Sequence, residues 1–333
     1  MTKAILLLSG GLDSILAAKL ILEQGIEVEA VNFKTIFCNC TSRSRSCSAA
    51  KSAADQLGIK LKVFEITEEY LKILKNPKHG YGKNLNPCLD CRILKLKKSA
   101  EYMKQAGGSF LVTGEVLGQR PMSQRMDAMR TIEKESKLEG LILRPLSAKL
   151  LRPTTPEEDG LVNREKLLSI QGRSRKEQIH LAEKFSINDY PCPSGGCLLT
   201  YEGFANKVRD LMQYNPDFGV EDTKLLKAGR HLRISPKAKL VVGRDEKDNE
   251  KLLGLACGSD ILFHAVDAMG PVGIGRGAFD EAAYLISSSI IARYSDCEPD
   301  KKQEIKYGQI STETRESITI LPIDEEKLAD LRI

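Results

Sequence analysis

Apolar residues come in short unbroken runs, separated by longer stretches with a helical rhythm. The run at 4–8 (AILLL) reads as a strand buried on both faces, and 15–24 then repeats apolar residues at helical spacing. Gly25 stops that helix, and 27–32 (EVEAVN) reads as a second strand. A helix over 48–57 closes at Gly58, and a third strand follows at 60–66. A Lys-rich amphipathic helix spans 91–105 up to Gly107-Gly108, with further strands at 110–113 and 141–144. Ser174 to Glu177 spell a capping box that opens a helix running to 185. Alternating strands and helices imply an α/β domain: a parallel sheet covered on both faces, with ligands at the carboxyl ends of its strands. Ser9 to Ser14, the Asn32-Phe33-Lys34 strand end and the Thr113-Gly114-Glu115 strand end would then meet on one rim.

The rhythm changes around 191–196 (PCPSGG). Beyond it the pattern predicts a strand at 240–243, a helix at 247–256, a strand at 260–265, a Gly-rich loop at 270–277 and a helix at 280–293; alternation over 307–321 predicts further strands. The expected organisation is an α/β domain over 1–190, a linker and cysteine-bearing segment over 191–225, and a smaller α+β domain over 226–333. With 333 residues, 41% hydrophobic and 29% charged, the chain has room for two cores. The first apolar stretch is too short for a signal peptide and lacks a basic flank or cleavage site, and no run reaches membrane-spanning length. Nine cysteines in such a chain point to reduced thiols used for metal binding or catalysis in the cytoplasm. A net charge of +5 permits nucleic-acid binding without demanding it. With no Trp and 5% aromatics, base stacking is not the expected main mode of RNA recognition.

Residues Ser9-Gly10-Gly11-Leu12-Asp13-Ser14 sit between the first strand and the first helix. Two glycines let the backbone turn tightly, and the helix that follows offers its free N–H groups to an anion. The serines add hydroxyl donors, and Asp13 adds a carboxylate suited to holding Mg2+ or orienting the loop. No lysine follows the glycines, so this is not the lysine-bearing phosphate loop of ordinary NTPases. SGGLDS resembles the PP-loop signature of ATP pyrophosphatases, which cleave ATP between the α and β phosphates and adenylate a substrate. The segment 112–124 (VTGEVLGQRPMSQ) resembles a segment of the tRNA 4-thiouridine synthases, the ThiI-like proteins, through Thr113, Gly114, Glu115, Leu117, Gly118, Gln119, Ser123 and Gln124. Arg144-Pro145-Leu146 matches a further segment of that family, and the likeness spans roughly residues 1–200. The resemblance implies an ATP-dependent tRNA sulfurtransferase. ATP activates a uridine carbonyl oxygen as an adenylate, and a sulfur nucleophile displaces AMP. Ser9, Gly10, Gly11, Asp13, Ser14, Gly114 and Gln119 would then bind ATP and Mg2+, with Phe33 flanking the adenine or simply packing in the core.

The cysteines fall into groups. Cys88 and Cys91 form a CxxC at a helix start, where the helix dipole favours thiolates. Cys192 and Cys197 bracket PCPSGGC, and the SGGCLL stretch resembles the second catalytic-cysteine segment of 2-thiouridine synthases. Some PP-loop thiolases hold a 4Fe-4S cluster with two cysteines of one loop and one distant cysteine. That resemblance implies Cys88, Cys91 and Cys197 as ligands, with sulfide on the open iron. A persulfide with a resolving thiol, a zinc knuckle and plain buried thiols stand as alternatives. Cys38, Cys40 and Cys47 form a third group that suits a small metal site or a sulfur relay, while Cys257 and Cys297 read as packing residues.

The classical synthases carry an N-terminal tRNA-binding THUMP domain, and some carry a C-terminal rhodanese domain; neither is expected here. The sulfur donor would be free sulfide or a cysteine desulfurase. Residues 225–300 resemble the NFACT-R RNA-binding domain, with Arg244, Lys247, His264 and Arg276 as expected phosphate contacts for tRNA; a solvated charged face is the alternative for each basic residue, and His264 reads equally as a core histidine. A homodimer would place one C-terminal domain near the other subunit's active site. The competing functions are a PP-loop ligase or amidotransferase using a nitrogen nucleophile, which needs no thiol, and a non-catalytic RNA-binding protein, against which the intact SGGLDS weighs.

Overall fold

The computed structural model describes residues 2–38, 46–191, 197–296, 298, 300–312 and 314–333. The chain divides into two units, Met1–Thr200 and Tyr201–Ile333. The first unit begins β1 (Lys3–Leu7), α1 (Leu12–Leu22), β2 (Glu27–Lys34), α2 (Ser46–Leu57), β3 (Lys60–Glu65) and α3 (Thr67–Lys75). It continues α4 (Cys88–Gln105), β4 (Phe110–Thr113), α5 (Met126–Ser136), β5 (Ile142–Leu143), α6 (Thr155–Glu158) and α7 (Lys176–Lys184).

The described strands of this unit are all parallel, in the order β3-β2-β1-β4-β5. Side chains alternate across the sheet, and both faces are buried. Ala4, Leu6, Val28 and Ala30 pack with Ile15, Ala18 and Ile21 of α1 and Ala53 of α2. Ile5, Leu7, Val31 and Phe33 pack with Ile93, Leu96 and Met103 of α4 and Ile132 of α5. That double burial is why the strands read as continuous apolar runs. The sheet grows outward from β1 to β2 on one side and β4 on the other, so the crevice beyond their carboxyl ends is the switch point where such sheets bind ligands.

Helix α7 begins as expected at Lys176, but no capping box forms there: Arg175 is the N-cap, and Ser174 Oγ accepts only a long 3.5 Å bond from Lys176 N. A capping box forms instead at Thr154 and Glu157, at the start of α6.

The second unit contains α8 (Glu202–Tyr214), α9 (Val220–Leu225), β6 (Arg230–Ser235), β7 (Ala238–Val242), α10 (Glu246–Leu255), β8 (Ile261–Ala265), β9 (Gly273–Gly277), α11 (Glu281–Tyr294), β10 (Gln303–Gln309), β11 (Glu316–Ile320) and α12 (Glu325–Leu331). Its described strands form an antiparallel sheet in the order β11-β10-β8-β9-β7-β6. Leu240, Phe263 and Ile305 of the sheet bury against Ile290 and Ile291 of α11. The stretch 191–225, expected as a linker, carries α8 and α9 of this unit. Ala205, Val208 and Leu211 are the buried stripe of α8, while Asp210 accepts bonds from Arg233 and Lys239 on the sheet. The expected Gly-rich loop at 270–277 contains β9. Among the described residues, no helix is long and apolar enough to cross a membrane.

Candidate active site

The chain leaves β1 at Leu7 and turns through Ser9, Gly10 and Gly11 into α1. Gly10 has φ +79°, and a Cβ there would lie 2.5 Å from the Ala49 carbonyl carbon of α2. Only glycine permits both the backbone conformation and the approach. Ser14 Oγ donates to the Gly11 carbonyl at 2.7 Å and lies 3.2 Å from Ser9 Oγ. No side chain caps α1, so its first turn keeps the anion-binding character of a helix N-terminus. The end of β4 closes the loop from the other side. A Cβ on Gly114 would lie 2.5 Å from the backbone of both Asp13 and Ser14. Gln119 Nε2 donates to Asp13 Oδ2 at 3.1 Å. Asp13 Oδ1 and Gln119 Oε1 are buried and accept no hydrogen bond among the described residues. Two orphaned oxygens beside an uncapped helix start are the donor set a hard cation with phosphate ligands takes.

Asn32 Nδ2 donates to the Leu8 carbonyl at 2.7 Å, which ties the ends of β2 and β1 together. The sequence offers Phe33 two roles, flanking the adenine or packing in the core. Its ring is 8% exposed and stacks on Phe64 with centroids 5.5 Å apart. The pleat of β2 turns it into the core, and the packing alternative describes it.

Glu115, two residues past β4, is buried between two arginines. Arg92 Nε donates to Oε1 at 2.7 Å, Arg144 Nε to Oε2 at 3.0 Å, and Thr113 Oγ1 to Oε2 at 3.1 Å. Arg144 also pairs with Glu133 of α5. Burial alone would raise the Glu115 carboxyl; the two guanidiniums outweigh it and hold the group at about 2. Arg92 follows Cys91 directly, so this carboxylate links the strand end at the loop to the cysteine-bearing start of α4.

Cys88 opens α4 and Cys91 completes its first turn, with Pro87 at the N-cap and no side-chain cap. Cys197 meets Cys38 across an antiparallel bridge just past β2. Cys38 thus joins the Cys88, Cys91 and Cys197 neighbourhood; Cys40 and Cys192 lie outside the described residues, as does the side chain of Cys47. Burial pushes the Cys91 thiol up, and Lys95, one helical turn on, hydrogen-bonds to it and pulls the other way. Lys95 is itself raised, chiefly by Cys91 and then, against burial, by Cys38 and Cys197. Burial pushes Cys197 up to about 11, although the Tyr70 phenol donates a hydrogen bond to its sulfur. Tyr70 is 2% exposed and lifted well above its usual range by that burial. Among the described residues, no three His, Cys, Asp or Glu side chains are set to hold a single metal ion. Cys91, Cys38 and Cys197 all lie near the Lys95 ammonium, which offsets the charge their thiolates would carry.

Lys95, Arg92 and Tyr70 went unnoticed in the sequence. The i, i+4 spacing of Cys91 and Lys95 on one helix was the available signal for the first; nothing local marks Tyr70. In the second unit, Lys247 and Arg244 are exposed, Arg244 pairing with Asp248 at 2.5 Å. Arg276 is not available to phosphate as expected, because its side chain is only 20% exposed and is held by two aspartates, Asp260 at 2.6 Å and Asp222 at 3.3 Å. His264 is half-buried on β8 opposite Lys306, and burial lowers its pKa. Cys257 is exposed rather than packed, with Arg276 Nη2 at 3.5 Å from its sulfur, and Cys297 lies outside the described residues.

A parallel α/β domain with a PP-loop at its switch point, followed by an antiparallel-sheet domain, is the class these features define. Residues 1–149 match the family model of the thiamine biosynthesis protein (ThiI), and residues 229–332 match that of the NFACT protein RNA binding domain. The chain thus joins a ThiI-type domain to an NFACT-R-type domain. It is similar to a tRNA-specific 2-thiouridylase MnmA of Sulfurimonas denitrificans, 34% identical over 122 residues, which cover 35% of this chain and 36% of that protein. The chain therefore spans little more than a third of the length of that curated relative. Among solved structures, a 4-thiouridine synthetase–RNA complex with bound ATP aligns at 19% identity and TM-score 0.39, covering 67% of this chain and 52% of that one. The U34-tRNA thiolase NcsA of Methanococcus maripaludis with its [4Fe-4S] cluster aligns at 19% identity and TM-score 0.33, covering 68% and 70%.

Proposed function

We propose that the chain is an ATP-dependent tRNA sulfurtransferase that converts a uridine carbonyl to a thiocarbonyl. The observation that carries this reading is the contact path from nucleotide loop to thiols. Asp13 packs on Gly114, Glu115 follows Gly114, and Arg92 joins Glu115 to the turn that bears Cys91. A nitrogen-transferring ligase would have no use for such thiols. The ThiI-type match and the thiouridylase relative support the same chemistry.

In this reading the α1 N-terminus, Ser9, Ser14 and the backbone at Gly10 and Gly11 receive the phosphates of ATP, and Asp13 with Gln119 holds Mg2+ against them. The uridine oxygen attacks the α phosphorus and expels pyrophosphate. Sulfur then attacks the activated carbon, and AMP leaves with the former carbonyl oxygen. Adenylation matters because a carbonyl oxygen cannot depart unaided. Cys88, Cys91 and Cys197 would hold a 4Fe-4S cluster, which when bound supplies an open iron to carry sulfide from free sulfide or a cysteine desulfurase. Lys95 offsets the negative charge of the thiolates, and Tyr70 fixes the Cys197 sulfur. The NFACT-R-type unit grips tRNA, with Arg244 and Lys247 on phosphates.

The test is mass spectrometry of tRNA nucleosides from cells with and without the gene, paired with iron and sulfide analysis of the purified chain. Loss of one thiouridine, restored by the intact gene, is expected. An unchanged nucleoside profile would overturn the reading.

A further inference from the structure

Cys38 and Cys197 stand directly opposite one another in their antiparallel bridge. The adjoining hydrogen bond runs from Leu198 N to the Phe37 carbonyl at 2.9 Å, while Cys38 N donates to the Thr35 carbonyl at 3.1 Å. The two cysteines are thus the non-hydrogen-bonded kind of antiparallel pair, in which Cα atoms approach to about 4.5 Å and side chains leave on the same face. A disulfide accepts Cα separations of about 4.4 to 6.8 Å, so the backbone needs no rearrangement to receive one. Lys95 senses charge on both sulfurs, which places both thiols near one ammonium. Cys88 and Cys91, by contrast, share the first turn of α4 and have no such backbone pairing with Cys197.

We propose that Cys38 and Cys197 are a redox site that closes as a reversible cross-strand disulfide by exchange with a low-molecular-weight disulfide. One protein thiolate attacks the small disulfide, forming a mixed disulfide and expelling one small thiolate. The second protein thiolate attacks the protein-side sulfur of that mixed bond, forming Cys38–Cys197 and expelling the other small thiolate. The protein gives up two electrons and the small disulfide takes them; the two protons end on the two small thiols. A dithiol reverses both steps. The consequence for activity rests on the proposed function: closure withdraws Cys197 from sulfur transfer and leaves the nucleotide loop unchanged.

The experiment titrates the full-length, metal-free chain with oxidised glutathione and maps disulfides by mass spectrometry. Tryptic peptides carrying Cys38 and Cys197 also carry Cys40 and Cys192, so a Cys40→Ser, Cys192→Ser background is run alongside the wild type. The expected product is a Cys38–Cys197 cross-link, reversed by dithiothreitol. In Cys38→Ser, intramolecular cross-linking of Cys197 falls by about tenfold or more, and a glutathione adduct appears on Cys197 instead. Oxidised chain should also take up less iron on reconstitution than reduced chain. Preferential pairing of Cys197 with Cys88 or Cys91, or undiminished cross-linking of Cys197 in Cys38→Ser, would overturn the proposal. The disulfide map needs neither ATP nor tRNA. Failure of the reduced wild type to thiolate tRNA would therefore count against the proposed function alone.

Discussion

Glu115 takes a carboxylate into the core and keeps it charged, because Arg92 and Arg144 approach from two other segments. Its folded pKa of about 2 lies below the ordinary 4.5, so its contribution to stability is fully present above about pH 4.5 and drains away as pH falls toward 2. Glu115→Gln should remove that acid-side slope in pH-dependent melting of the first unit. It should also cost roughly 1–3 kcal/mol at neutral pH, since Arg92 and the buried Arg144 lose a shared carboxylate while Arg144 keeps Glu133. Asp13 differs in kind: it bears an orphaned oxygen at the loop and holds no ion pair among the described residues. Asp13→Ala should leave the melting temperature nearly unchanged while AMP release falls by about a hundredfold or more. Retained AMP release would take Asp13 out of the nucleotide site.

The elements themselves were unevenly legible. The doubly buried strands β1, β2 and β4 announced themselves because parallel strands need no polar alternation. Helices α3 and α5 were hidden. The first follows β3 almost without a break, and the second follows a segment that reads as a loop motif. β9 was concealed by its composition, GIGRG, since glycine contributes nothing to a hydrophobic pattern. Packing explains the glycines: a Cβ on Gly273 would lie 2.6 Å from Ile291, and one on Gly275 would lie 2.5 Å from Phe279. The nucleotide loop could be placed from sequence because strand, turn and helix are contiguous. Cys38 could not be joined to Cys197, because their bridge links positions far apart in the chain. At this scale the junction of β4 with the loop is the sensitive point. Gly114→Ala would push a methyl against Asp13 and Ser14. Isothermal titration should show ATP affinity falling by about tenfold or more, with overpacking costing roughly 1–3 kcal/mol in melting.

Taken whole, the chain divides into two units that bury their apolar residues separately, the first on both faces of the parallel sheet and the second between its sheet and α11, and calorimetry should resolve two transitions. ATP at about a hundredfold above its Kd should raise the stability of the first unit by about 2.7 kcal/mol and leave the second unmoved. Acid should separate them as well. His231 of β6 is buried, and desolvation, then Lys239 and Lys207, hold its pKa well below 6.5. A histidine kept neutral in this way stabilises above pH 6.5, and its contribution is lost as pH falls below that value. The second transition should therefore shift downward between about pH 7 and 5, before Glu115 begins to titrate, and His231→Asn should flatten that shift. A single transition that ATP and pH move as one would show that the units unfold together.

The buried carboxylate at the end of β4 also limits how this chain can be rebuilt or can diverge. Residues 113–119 cannot be transplanted as a cassette. On a foreign sheet Glu115 would be stranded without its cations, and an unaltered host would gain a buried charge in place of a nucleotide site. Arg92 and Arg144, from α4 and from the end of the neighbouring strand β5, must accompany the graft. Substitutions among the three are thus expected to be inherited together, so the smallest exchangeable piece of this domain is a trio scattered over three segments of the chain.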